Sequence, residues 1–69
     1  MSGAIFITLG QGAELGIEER HDIELLFLRQ PHPEHPNVIV ETNLGIATNK
    51  RMDALIKCIE RLKVHATQI

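Results

Sequence analysis

A chain of 69 residues with a single cysteine, Cys58, has no disulfide within itself. Zinc sites built on two or more cysteines are excluded for the same reason. A domain this short removes only about 60% of the unfolded chain's surface on folding, so its core is thin and association with another copy is the common remedy. A lone cysteine suits a reducing compartment. We expect Cys58 to be a buried structural thiol rather than a nucleophile.

Strand-forming segments occupy the first two thirds of the chain. Three stretches rich in β-forming residues predict strands: Ala4–Leu9, Asp22–Arg29 and Val38–Thr42. Residues 13–20 are open between strand and helix, but Gly16 favours the strand because it would cost a helix about 1 kcal/mol. The glycines around Gly10-Gln11-Gly12 superficially resemble a dinucleotide-binding loop. Their spacing and the lack of a following helix favour a hairpin turn instead.

The clearest predicted element is a helix at the end of the chain. Apolar residues recur there at the spacing of one helical face: Leu55, Ile56, Ile59 and Leu62. This spacing predicts a helix from about residue 49 to 65, with Thr48 or Asn49 as N-cap. Strands followed by one helix predict an α+β fold, an antiparallel three- or four-stranded β-meander with one C-terminal amphipathic helix packed on one face. We expect a single domain over residues 1–69, with the four apolar residues packed on the sheet.

The segment Asp22–Arg29 is apolar on both sides near its end, whereas a sheet that faces water on one side normally alternates apolar with polar residues. We expect the face opposite the helix to carry an exposed apolar patch of Leu26, Leu28 and Ile39. Such patches mark interfaces, and a two-fold-related copy commonly buries them. The sequence therefore predicts a homodimer or higher oligomer through these residues. The alternative is that residues 13–20 or 43–47 fold over this face within one chain.

A proline-rich segment, Pro31–Pro36, holds His32, Glu34 and His35, which are residue types that bind metals. Alternating prolines favour an extended backbone that points these side chains apart. The segment is open to three interpretations: a stiff connection between strands, a metal site or a docking surface for a partner. We favour the connection and expect no specific metal site and no cofactor.

Charge is unevenly distributed along the chain. Residues 1–36 carry six acidic and two basic residues, and residues 37–69 carry five basic and three acidic ones, which gives −4 and then +2. Lys50 and Arg51 stand at the predicted helix start, where the helix dipole disfavours cations, and so form a candidate anion site. The net charge of −2 and the absence of Trp and Tyr argue against a dedicated nucleic-acid binder.

Groups for catalysis are scarce, because no nucleophile stands near a base in the sequence, and the chain is short for a substrate cleft. Its apolar runs are too short for a signal peptide or a membrane span, so we expect no membrane partner and a cytoplasmic location. The sequence predicts a non-enzymatic, homodimeric binding or regulatory module that contacts itself and another protein. Nucleic-acid association through the basic helix start is the alternative function, and metal binding through the His-rich loop comes third. No motif identifies a family.

Overall fold

The computed structural model describes residues 3–67 of the chain. Four antiparallel strands form one sheet in the order β1-β2-β3-β4, followed by a helix and a short 3₁₀ turn at Lys63–His65. The bounds are Ala4–Gly10 for β1, Ala13–Arg20 for β2, Ile23–Pro31 for β3, Ile39–Ile46 for β4 and Asn49–Leu62 for helix α1. The predicted α+β layout, a meander followed by one C-terminal helix, is confirmed. Residues 13–20 form a strand of the sheet, which confirms the prediction made from Gly16.

Tight turns join the first three strands. The β1–β2 connection passes through Gly10, Gln11 and Gly12 with φ angles of 101°, 53° and 80°, which confirms the hairpin interpretation of these glycines. The β2–β3 turn places His21 and Asp22 at φ 53° and 63°. Two consecutive positive φ angles are typical of the type I′ turn, whose twist matches that of the adjoining strands.

The pairing register divides the side chains between two faces of the sheet. Ile17 lies opposite both Ile5 and Leu26, and Leu15 lies opposite Leu28, so these residues share one face. We call it the apolar sheet face; it carries Ile5, Ile7, Leu15, Ile17, Leu26, Leu28 and Val40. We call the opposite side the charged sheet face; it carries Phe6, Glu18, Arg20, Phe27, Arg29 and Glu41.

Two neighbouring side chains form the core that this chain buries by itself. Within residues 3–67 the buried apolar side chains are Leu26, 4% exposed, and Phe27, 2% exposed. Because they are consecutive in β3, they point to opposite faces of the sheet. Phe6 lies on the backbone of Gly16, where any Cβ would collide with the Phe6 ring. The core is therefore split into two thin layers.

Helix α1 is not packed on the sheet of its own chain, so that part of the prediction is wrong. None of its residues is buried, and three of the four predicted packing residues are more than half exposed: Ile56 at 55%, Ile59 at 56% and Leu62 at 63%. Hydrogen bonds hold the two-residue connection before the helix, since Ala47 N–H donates to Glu24 O and Thr48 N–H donates to Ile46 O, both at 2.9 Å.

Within residues 3–67, no helix is long and apolar enough to cross a membrane.

Candidate association surface

The predicted interface patch is not one surface. Leu26 is 4% exposed and already buried within one copy, and Leu28 is half-buried on the apolar sheet face. Ile39 is 56% exposed but lies opposite Pro31 on the charged sheet face, so its assignment to the same side as Leu28 is wrong. The physical reason is the β3–β4 register, since a shift of one residue moves a side chain to the other face.

The largest exposed part of the apolar sheet face lies on β1, which the sequence interpretation overlooked. Ile5 and Ile7 are 73% and 69% exposed. Pairing with β2 places them beside Ile17 and Leu15, both half-buried, so they extend the apolar surface to the sheet edge. The consecutive apolar residues Ile5, Phe6 and Ile7 were the available signal, because such a run places apolar side chains on both faces of a strand. Its meaning depended on the β1–β2 register.

A second apolar surface lies on α1. We call it the helix stripe; it consists of Leu55, Ile56, Ile59 and Leu62. Leu55 is half-buried, and the other three are exposed. Cys58, at the flank of the stripe, is also exposed, so the prediction of a buried thiol is wrong. The stripe residues and Cys58 are exposed for the same reason, which is that nothing in the described part of this chain covers the stripe.

The protomer exposes more surface than a compact monomer of its size. Its accessible surface is 6033 Å², whereas a folded monomer of 7.7 kDa exposes about 4,300 Å². Its radius of gyration is 13.6 Å against about 11 Å for a compact chain of this length. The molecule is flat, with extents of 40 × 33 × 15 Å. The accessible surface thus exceeds that of an average monomer of this mass by about 1,700 Å².

The charged sheet face carries a ring of ion pairs, with the exposed Ile39 beside it on β4. Arg20 contacts Glu18 at 2.6 Å and Glu41 at 2.8 Å, and Arg29 contacts Glu41 at 2.8 Å and Glu18 at 2.9 Å. Each guanidinium thus meets both carboxylates, and the ring is neutral. The Arg20 guanidinium also lies over the Phe27 ring, 4.2 Å from its centroid, so the ion pairs cover this side of the core.

The ring shifts the acidity of its members. Hydrogen bonds from Arg29 and Arg20 to the Glu41 carboxylate, opposed in part by its desolvation, hold the pKa of that carboxyl below its usual range. The same carboxylates raise the pKa of both guanidinium groups. The register brings Glu18 against two cations on neighbouring strands.

One end of the apolar sheet face is acidic. Glu19 and Glu24 lie directly opposite each other on β2 and β3, and like charges in such a pair destabilise a sheet. Among the described residues, no lysine or arginine lies within 4.0 Å of either carboxylate. They border an open hollow of about 420 Å³ that Ile5 and Ile17 also line. The apolar surface therefore ends in two negative charges that lack a cation among residues 3–67.

The loop after β3 is a compact turn. The imidazoles of His32 and His35 lie 5.1 Å apart between ring centroids, so the expectation that the prolines point them apart is wrong. Glu34 N–H donates to His32 Nδ1 at 3.0 Å, which occupies one potential ligand atom. Val38 N–H donates to His35 O at 2.8 Å and closes the turn. Within residues 3–67, no group of three His, Cys, Asp or Glu side chains is placed to hold a metal ion.

The candidate anion site at the helix start is partly occupied by the chain itself. Thr48 is the N-cap, as predicted, and its Oγ1 accepts a hydrogen bond from Arg51 N–H at 3.1 Å. The Arg51 guanidinium lies beside Gly45, where an added Cβ would be 3.0 Å from its Nη2. Lys50 is exposed. The two cations therefore differ in surroundings, because Arg51 is held against β4.

Comparison with protein-family models, with curated proteins and with solved structures finds no match to this chain.

Proposed function

We propose that this protein is a small, cytoplasmic, non-enzymatic module that works as a homodimer and regulates or recruits another protein through surface contacts. The observation that carries the proposal is the pair of uncovered apolar surfaces, the apolar sheet face and the helix stripe, on a protomer that buries two apolar side chains within residues 3–67. Exposed apolar patches of this extent mark interfaces.

The area favours a permanent interface over a transient one. If each copy covers its excess of about 1,700 Å² on association, two copies bury about 3,400 Å² in total. Permanent homodimers bury about 2,000–5,000 Å² and transient encounters less than about 1,200 Å². A second copy of the chain is the occupant that is always available at equal concentration and that makes a closed, symmetric pair.

Once the homodimer has covered the apolar surfaces, a polar surface remains for the other protein that the module binds. The charged sheet face lies on the opposite side of the sheet from the apolar sheet face, so its ion-paired groups are not covered by that association. Binding through such groups gives specificity and on-rate more than affinity. This arrangement supports a module that is held together by apolar contacts and recognises its target by polar ones.

Sedimentation equilibrium with two neighbouring substitutions tests the homodimer. Ile7 and Thr8 are consecutive, exposed and on opposite faces of β1. Ile7→Glu costs an isolated protomer little because the side chain is 69% exposed, but it places a charge inside a covered apolar face. We expect wild type and Thr8→Glu to sediment at twice 7.7 kDa and Ile7→Glu to be monomeric or unfolded. A wild-type mass of 7.7 kDa throughout the micromolar range contradicts the proposal.

A further inference from the structure

We propose that the two copies dock reciprocally, with helix α1 of each copy packed through its stripe on the apolar sheet face of the other. This inference rests on the proposed homodimer and names the surfaces that meet. Its elements are the helix stripe, Leu55 to Leu62, and the face that Ile5, Ile7, Leu15 and Leu28 share.

The two surfaces match in size and chemistry. A helix of 14 residues is about 21 Å long, and strands of seven to nine residues are about 23–30 Å long. The stripe is aliphatic, as are the side chains of the apolar sheet face. Packing an amphipathic helix on an apolar sheet face is the usual way in which an α+β fold completes its core.

The helix is available to a second copy because its own chain does not use it. The connection of Ala47 and Thr48 is held by backbone hydrogen bonds to Glu24 and Ile46. The Thr48 side chain then fixes the first turn of α1. In this position of α1, Ile59 is 56% exposed within its own chain. In the proposed dimer the apolar sheet face of the other copy covers it.

Charge complementarity favours contact between helix and sheet. Residues 3–46 carry seven acidic and two basic side chains, a formal charge of −5, whereas residues 49–65 carry five basic and two acidic ones, a formal charge of +3. Glu19 and Glu24 at the end of the apolar sheet face are an unfavourable pair. Lys63, four residues beyond Ile59, stands beside the helix stripe and brings a cation to that face.

The two other symmetric arrangements leave apolar surface in water. Sheet against sheet buries Ile5 and Ile7 but leaves the helix stripe exposed. Helix against helix buries Ile59 but leaves the apolar sheet face exposed, and it also brings together two segments that each carry a formal charge of +3. The reciprocal arrangement covers both surfaces in both copies.

Isotope-filtered NOE spectroscopy on a refolded mixture of ¹³C-labelled and unlabelled wild-type chains reads the arrangement directly, because it reports contacts between copies only. We expect intermolecular NOEs between the methyl groups of Ile56 or Ile59 and those of Ile5, Ile7 or Leu15. Intermolecular NOEs that join only stripe to stripe, or only sheet to sheet, in a dimer would overturn reciprocal docking and leave the homodimer intact. A monomer by sedimentation overturns both.

Two glutamine substitutions on opposite sides of α1 provide a second readout. Ile59 lies in the stripe and Lys57 on the polar side, both exposed in the protomer, and glutamine is a good helix former. We expect Ile59→Gln to raise the dimer dissociation constant by at least about tenfold and Lys57→Gln to change it by less than about threefold. Equal dissociation constants for Ile59→Gln and wild type would overturn the docking of the stripe. Far-UV circular dichroism confirms that each variant retains its helix.

Discussion

The loss of unfolding free energy caused by Ile59→Ala distinguishes a covered helix stripe from a solvent-facing one. Complete burial of an isoleucine side chain contributes about 1.5–3 kcal/mol. In one protomer Ile59 is 56% exposed, so its own chain shelters less than half of it and truncation there costs at most about 1.3 kcal/mol. If a second copy covers the stripe, truncation costs about 2–5 kcal/mol per chain. Two sites change in each dimer, which doubles the effect on a transition that unfolds both copies.

Urea unfolding followed by far-UV circular dichroism measures this cost, since the chain has no Trp or Tyr for fluorescence. Val64→Ala is the matched control, because Val64 is 82% exposed and lies beyond the stripe in the 3₁₀ turn. We expect Ile59→Ala to lower the unfolding midpoint far more than Val64→Ala does. We also expect the wild-type midpoint to rise with protein concentration, as it does when association stabilises the folded state.

Equal costs for Ile59→Ala and Val64→Ala, with no dependence of either midpoint on concentration, would refute a covered helix stripe. That result would mean that the helix stripe faces water in solution. The cost of Ile59→Ala and the concentration dependence of the wild-type midpoint must both be seen. A large cost without concentration dependence would mean that the stripe is covered within one chain and not by a second copy.

Three further outcomes follow from the other sites. Because ion pairing lowers the pKa of Glu41 in the folded protein, its contribution is present above the unfolded-state value and is lost as pH falls through the folded pKa. We therefore expect the wild-type urea midpoint to decline below about pH 5, and Glu41→Gln to show a weaker decline in the same titration. Elemental analysis of protein purified without a histidine tag should find no stoichiometric zinc or nickel; metal lost in a His32→Ala, His35→Ala double variant would contradict this. An electrophoretic shift with a salt titration should show no retained nucleic acid at physiological salt, and binding that disappears in a Lys50→Gln, Arg51→Gln variant would establish the alternative function.

Local pattern predicted the elements of this fold well, because strand and helix formation depend on neighbours in the sequence. The spacing of the stripe residues placed α1, and Gly16 decided residues 13–20 for β2. That spacing does not determine what an apolar helical face packs against. The periodicity therefore identified the stripe correctly, but the prediction that the stripe packs on the sheet of its own chain is wrong.

The sites depended on register, which the sequence pattern alone did not determine. Ile39 was placed beside Leu28 because both are apolar, and the β3–β4 pairing puts Ile39 opposite Pro31 instead. The ion-pair ring was missed for the same reason, since Glu41 meets Arg20 across β3. A partial signal existed, because Glu18 and Arg20 are two residues apart in one strand and necessarily share a face.

In the proposed homodimer, a core divided between Leu26 and Phe27 would tie the lifetime of each copy to its abundance. A protomer with so little buried surface opens readily, and opened chains are what cellular proteases remove. Copies made in excess of their partners would be degraded, while paired copies persist. The amount of protein in the cell would then follow a threshold set by the dissociation constant, and a modest change in synthesis rate would produce a sharp change in the level of the proposed dimer.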